Sequence, residues 1–135
     1  EASYELRPPP APWRRLELDD QNDLAFRHPE LGAIIQMNAS CDPSLDIPLI
    51  ALTNHLLIGF TERALRSERL VPLVGREALR THLRAKLDGV ERELLLYVLK
   101  KNGCVYDLAL IAPPGPRFEG ALVGFEAMLE GVRIP

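Results

Sequence analysis

No stretch of this sequence approaches the ~20 uninterrupted apolar residues that a membrane-crossing helix needs, so the chain itself is not expected to span a bilayer. Thr53, Asn54 and His55 break the apolar run of its first helical segment. Basic residues are not in excess. Sixteen Lys and Arg stand against nineteen Asp and Glu, interspersed along the chain, and the net charge of -3 excludes the basic stripe of a nucleic-acid binder. There are only two cysteines and no C-x-x-C pair, which leaves dithiol redox chemistry without a centre. A G-x-S-x-G elbow, a phosphate-cradling glycine loop and an H-E-x-x-H helix are all absent. His28, His55 and His82 have no ligand-type spacing to one another or to a cysteine or acidic residue. No catalytic residue, metal or cofactor is therefore expected. His28-Pro29-Glu30 reads as part of a hairpin turn, His55 as a residue at a helix boundary, and His82 as a solvated or cross-strand residue between Arg80 and Arg84.

Two turn dipeptides dominate what is present. Asp88-Gly89 and Asn102-Gly103 supply the positive φ angles of two-residue primed turns, and they bracket a strand-length segment, Val90 to Lys101. A three-stranded antiparallel meander over 77–112 follows, with a fixed register. Leu87 faces Val90, Lys86 faces Glu91, Arg84 faces Glu93, Leu83 faces Leu94 and Leu79 faces Val98. Beyond the second corner Lys101 faces Cys104, Leu99 faces Tyr106, Tyr97 faces Leu108 and Leu95 faces Leu110. Charge meets opposite charge and leucine meets leucine, agreement that a slip of one residue would destroy.

The unbroken apolar run Leu94 to Leu99 implies a sheet covered on both faces. Two amphipathic segments offer the cover. Pro116 to Val132 carries Phe118, Ala121, Leu122, Phe125, Met128, Leu129 and Val132 at helical spacing, and a second helix is expected over about 48–65 with Leu49, Leu52, Leu56 and Phe60 on one face. Asp46 is the expected cap of that helix, with Pro48 in its first turn. Short strands are expected near Trp13 to Leu18, Asp23 to His28, Ala33 to Ala39 and Glu68 to Val71, the last at an edge because of Pro72. Pro8-Pro9-Pro10 and Pro12 make residues 1–12 an expected extended tether outside the core, which leaves 13–135 as one domain. Gly120 and Gly124 are expected to permit close packing on the sheet. Tyr97 and Tyr106 read as aromatic residues on one covered face. The fold class is thus α+β, a three-layer α/β/α sandwich around an antiparallel sheet.

Gly75-Arg76-Glu77-Ala78-Leu79, the turn Leu87-Asp88-Gly89-Val90, the segment Leu96 to Leu108 and the closing helix Phe118 to Phe125 resemble small bacterial lipoproteins of the PsbP/Mog-like superfamily. The resemblance implies the same α/β/α sandwich. Its known members act as binding or assembly factors, one assisting the photosystem oxygen-evolving complex and another binding a nuclear-transport GTPase, and neither is a conventional enzyme. It also implies an extracytoplasmic accessory protein. The sequence as it stands carries no signal segment and no acylatable cysteine at its start. A chain trimmed after such a cysteine would have lost both, and the proline-rich opening would then be the spacer to a lipid anchor.

Cys41 and Cys104 are each expected at a strand end, where a bridge could close a loop of about sixty residues. The alternative is two buried thiols acting as small hydrophobes. Two function classes remain. One is a membrane-tethered, monomeric binding or assembly module with a protein partner, for which the basic row Arg80, His82, Arg84 and Lys86 is a candidate docking surface, although Glu91 and Glu93 opposite neutralise part of it. The other is a carrier of a small apolar or amphipathic ligand between a helix and the sheet. A hydrolase lacks a nucleophile with an evident base.

Overall fold

The glycine corners do what their chemistry dictates. In the computed structural model, which describes residues 2–17 and 23–135, Asp88 and Gly89 adopt φ of 51° and 78°, and Asn102 and Gly103 adopt 55° and 76°, the double positive φ of primed two-residue turns. They join β5 (Arg76–Leu87), β6 (Val90–Lys101) and β7 (Cys104–Ala112), and every cross-strand pair expected from the turns is present. Before the meander come β1 (Arg14–Arg15), β2 (Leu24–His28), β3 (Ala33–Ser40), a short 3-10 turn at Pro43–Leu45, α1 (Leu49–Leu56) and β4 (Phe60–Leu73); α2 (Pro116–Glu130) follows it. The seven strands form one antiparallel sheet in the order β1-β2-β3-β7-β6-β5-β4. This is an α+β fold with helical cover on both faces of the sheet.

Strand parity assigns the two faces. Odd residues of β6 and even residues of β7 meet α2, where Phe118, Ala121, Phe125 and Met128 pack with Ile35, Met37, Leu95, Leu99, Leu108 and Leu110. Each fully buried side chain of this size contributes roughly 1.5–3 kcal/mol. On the opposite face Leu52 of α1 packs with Val98 and Val105, and Leu57 packs with Leu83, Leu94, Leu96 and Ala109. The central strand is apolar on both sides because both sides are covered.

Several elements differ from the sequence expectation. The first helix stops at Leu56 instead of reaching residue 65, because Gly59 takes φ of 94° in the turn that follows, and Arg63 donates to the carbonyls of Leu57 (2.6 Å) and Phe60 (3.1 Å) there. The residues 60–65 instead begin a 14-residue edge strand, longer than the expected 68–71, because pairing with β5 outweighs the helix propensity of Glu62, Arg63, Ala64 and Leu65. Asp46 does not cap α1, whose N-cap is Pro48 with no side-chain cap bond; it pairs with Lys100 Nζ at 3.1 Å. The expected strand from Trp13 is only the two residues Arg14–Arg15, and Leu18 lies outside the described residues, as does Glu1.

The opening segment does not run clear of the core. Tyr4 and Leu6 pack against the α2-side core, Pro9 is buried, and Glu5 and Arg133 exchange two backbone hydrogen bonds of 2.8 Å. Tyr4 and Leu6 sit two residues apart, the spacing of a strand face, and this places both side chains inward. Trp13 packs on Gly124 so closely that a Cβ there would overlap the indole nitrogen. Gly124→Ala gains up to ~1 kcal/mol of helix propensity but creates that overlap, which costs about 1–3 kcal/mol. A net loss of about 1 kcal/mol is expected in urea unfolding, and an unchanged or raised midpoint would show that the indole moves aside freely.

Candidate functional site

The row Arg80, His82, Arg84 and Lys86 alternates along β5 and therefore points to the α2 side of the sheet. Each member already has an internal partner. Arg80 donates to the Tyr97 hydroxyl at 3.1 Å and to Ser67 Oγ at 3.4 Å. His82 Nε2 donates to Glu93 at 2.6 Å, Arg84 Nε lies 3.5 Å from the same carboxylate, and Lys86 reaches Glu62 on β4 at 3.2 Å. The face is not open at His82, because the Phe118 ring stacks on the imidazole with centroids 5.2 Å apart. Glu93, only 4% exposed, also accepts the Gly115 backbone N–H at 3.0 Å, so one carboxylate ties β5 to the start of α2. Burial pushes the Glu93 carboxyl up, but the Gly115, His82 and Arg84 interactions outweigh burial and hold it below its ordinary range.

The opposite face is covered less completely. With eight residues, α1 overlies β5 and β6 and leaves the flank above β4 bare. Register places Leu65 opposite Leu83 and Leu70 opposite Leu79, all on the α1 side. Leu65 is 61% exposed, Leu70 54% and Ile58, in the turn entering β4, 74%. A shallow groove lined by Leu49, Leu70, Pro72, Arg76 and Lys100 runs from the start of α1 into this flank. Exposed leucines on one side of a sheet, here with Glu68 between them on the same face, have the character of a contact surface.

Beneath α1, on the β3–β7 side, lies a cavity of about 130 Å³. Leu45, Leu52, Leu56, Val98 and Val105 supply its apolar wall, and Asn38, His55 and Asp107 its polar groups. Asp107 Oδ1 accepts from Asn38 Nδ2 at 3.1 Å. Burial raises the Asp107 carboxyl, the Asn38 bond opposes the rise, and the negative charge of Asp23 adds to it, giving about 6 against an ordinary 3.8. A carboxyl raised on folding binds more protons in the native state, so its charge costs stability as pH climbs from about 4 to 6 and the cost is constant above. Asp107→Asn is expected to raise stability at pH 7 by about 2 kcal/mol and to flatten the fall between pH 4 and 6. Chemical unfolding of both forms at pH 4 and pH 7 checks this, and equal differences at the two pH values would remove the electrostatic cause.

Cys41 and Cys104 are joined by a disulfide one position beyond the last β3–β7 pair, Ser40 with Val105. His28 lies in the β2–β3 turn, where its Nδ1 accepts the Leu31 N–H at 3.1 Å and its ring meets Trp13 edge-on, and His55 is exposed on α1. Tyr97 and Tyr106 share the α2 face. Among the described residues no three His, Cys, Asp or Glu side chains are placed to hold a metal, and no helix is long and apolar enough to cross a membrane. Sequence reasoning passed over Asp107 and Asn38. The signal was there: Asp107 is the one charged residue in the nine-residue apolar strand β7.

The chain superposes on cyanobacterial PsbP (CyanoP) from Synechocystis sp. PCC 6803 with a TM-score of 0.66 at 15% identity, over 100% of this chain and 94% of that one. LpqN, involved in cell envelope biogenesis of Mycobacterium tuberculosis, matches with a TM-score of 0.66 at 16% identity, over 99% of this chain and 86% of that one. A structure from Bacteroides thetaiotaomicron matches with a TM-score of 0.67 at 12% identity over 98% of this chain, and this chain spans 45% of that chain's length. No family model matches the chain, and no curated protein matches it. The fold is PsbP-like, as the turns and the closing helix implied. Identities this low carry the fold and not an activity.

Proposed function

From this PsbP-like fold as premise, we propose that the chain is an extracytoplasmic, membrane-tethered accessory module, non-enzymatic and of the Mog-like lipoprotein type, which binds a protein partner during assembly. The observation that carries the reading is the apolar flank of Leu65, Leu70 and Ile58, left bare where α1 ends at Leu56. A disulfide supports an oxidising compartment, and a cell-envelope protein among the structural neighbours agrees with it. Of the two candidate docking surfaces, the flank is preferred to the row Arg80, His82, Arg84 and Lys86, whose side chains would have to leave internal partners first.

A photo-crosslinking side chain placed at Leu65 or Leu70 in the native cell is expected to give one discrete adduct in the envelope fraction. The same group at Val123, which is 71% exposed on α2, is expected to give none. Adducts at Val123 alone, or recovery of the chain in the cytoplasmic fraction, would overturn the proposal. A second reading, the carrier of a small apolar or amphipathic ligand, draws support from the cavity beneath α1. Its 130 Å³ suits a small molecule and is too little for a lipid chain, and on the other face buried Phe118 and Phe125 fill the space between α2 and the sheet.

A further inference from the structure

The cavity beneath α1 has a chemical bias that its size alone does not convey. Its walls are apolar, yet Asp107 brings a carboxyl group to it whose sole hydrogen-bond donor among the described residues is the Asn38 amide. No described Lys or Arg pairs with that carboxyl. The cation that comes to this side of the sheet near the start of α1, Lys100, is engaged by Asp46 at 3.1 Å, and Asp23 beyond Asn38 adds a second negative charge. An ionised carboxylate facing an apolar cavity without a counter-cation is unfavourable, and an entering cation would relieve it. The available volume is close to that of an engineered cavity of about 150 Å³ that takes the six carbons of benzene.

We infer that this cavity is a binding site for an alkylammonium group, its nitrogen on Asp107 and a stem of about four carbons against Leu52, Leu56, Val98 and Val105. The inference rests on the small-ligand reading and goes further by assigning the charge and length of the ligand. Two sources supply this chemistry, a free primary amine and the lysine side chain of a protein. His55 is the titratable group that α1 contributes to the cavity, Asp107 the one from β7, and Asp23 lies behind Asn38 of β3. The strand β6 contributes Val98 to the wall, with Lys100 two residues further along and already paired.

Titration of the whole chain with n-butylammonium chloride at pH 7.5 and fixed ionic strength, followed by amide NMR, tests the site. Saturable shifts confined to Asn38, α1, Val98, Val105 and Asp107 are expected in the low-millimolar range. Affinity at pH 5 should be about tenfold weaker, since a group titrating near 6 is then about nine-tenths protonated. Asp107→Asn, which is expected to fold more stably than the parent, should abolish the shifts; Leu56→Phe, which fills the cavity, should do the same, and His55→Gln should change affinity no more than about twofold. Nα-acetyl-lysine amide in place of n-butylammonium separates the sources: binding of both places a protein lysine within reach, and binding of n-butylammonium alone assigns a free amine. Absence of site-restricted shifts, binding that survives Asp107→Asn, or equal binding of n-butanol would overturn the inference. Saturable binding of n-butanol alone would do so while leaving the small-ligand reading intact.

Discussion

Replacing Cys41 and Cys104 together by serine is expected to lower the free energy of unfolding by about 4 kcal/mol, the chain-entropy value for a loop closed between cysteines 63 residues apart. The loop contains α1, β4, β5 and β6, so the bond restricts nearly half of the unfolded chain. In the folded state the loss is smaller, because the β3–β7 ladder already brings Ser40 opposite Val105 one position away. The effect should therefore appear as a lower urea midpoint with a nearly native far-ultraviolet spectrum. Reduction of the parent protein should reproduce it. Mass measurement before and after reduction checks the premise: two free thiols in the folded, unreduced chain would remove the bond, and a change below about 1 kcal/mol would mean that the unfolded chain is already restricted.

Glu93→Ala is expected to cost about 3 kcal/mol. Removing this carboxylate orphans the Gly115 N–H at the start of α2 and the His82 imidazole and takes away the negative charge 3.5 Å from Arg84 Nε, which has no hydrogen-bond partner among the described residues, and an unsatisfied buried donor costs about 1–3 kcal/mol. Glu93→Gln keeps an acceptor for one donor and should cost roughly half as much. The pH dependence separates this group from Asp107. Glu93 is held below its ordinary 4.5, so its stabilisation is present above that value and is lost as pH falls through the depressed one. Asp107 acts in the opposite sense between about 4 and 6. In the parent the acid side of the profile is then a compromise, with stability recovered from Asp107 as pH drops toward 4 and lost from Glu93 below it. Glu93→Ala should keep the first limb and lose the second; survival of the acid loss in the variant would assign it to other carboxylates.

The legible parts of this fold were those where one residue type admits one geometry. Asp88-Gly89 and Asn102-Gly103 dictated the pairing of three strands residue by residue, and the apolar centre of β6 implied its two-sided cover. Phe118 to Met128 announced α2 in the same way. Local chemistry misled where a distant partner decided. The stretch from Glu62 to Leu65 favours a helix on propensity and continues the spacing of Leu56 and Phe60, yet β5 offers it a strand to pair with, and Gly59 lets the chain turn there. Proline content concealed the alternation of Tyr4 and Leu6, whose burial depends on Tyr106 and on Arg133 at the far end of the chain. Of the candidate sites, the basic row was legible as a row, but its engagement by Glu62, Glu93 and Tyr97 was not, because Lys86 pairs with Glu62 on β4 and the carboxylate of Glu93 serves both His82 and Arg84. The Asp107 cavity depends on where α1 lies across the sheet, and no local pattern encodes that.

The outer strand β4 has a further consequence for solutions of this protein at high concentration. Its first half carries two irregularities, between Thr61 and Ala64 and between Leu65 and Ser67, with Glu62 in a left-handed conformation at φ of 50°. Its second half contains Pro72, which has no N–H to donate. Kinked at one end, short of a donor at the other and lined with Arg63, Arg66 and Arg69, this border is a poor template for another molecule's strand. The exposed leucines can therefore remain accessible on one side of the sheet while fibril-like stacking through its rim is suppressed.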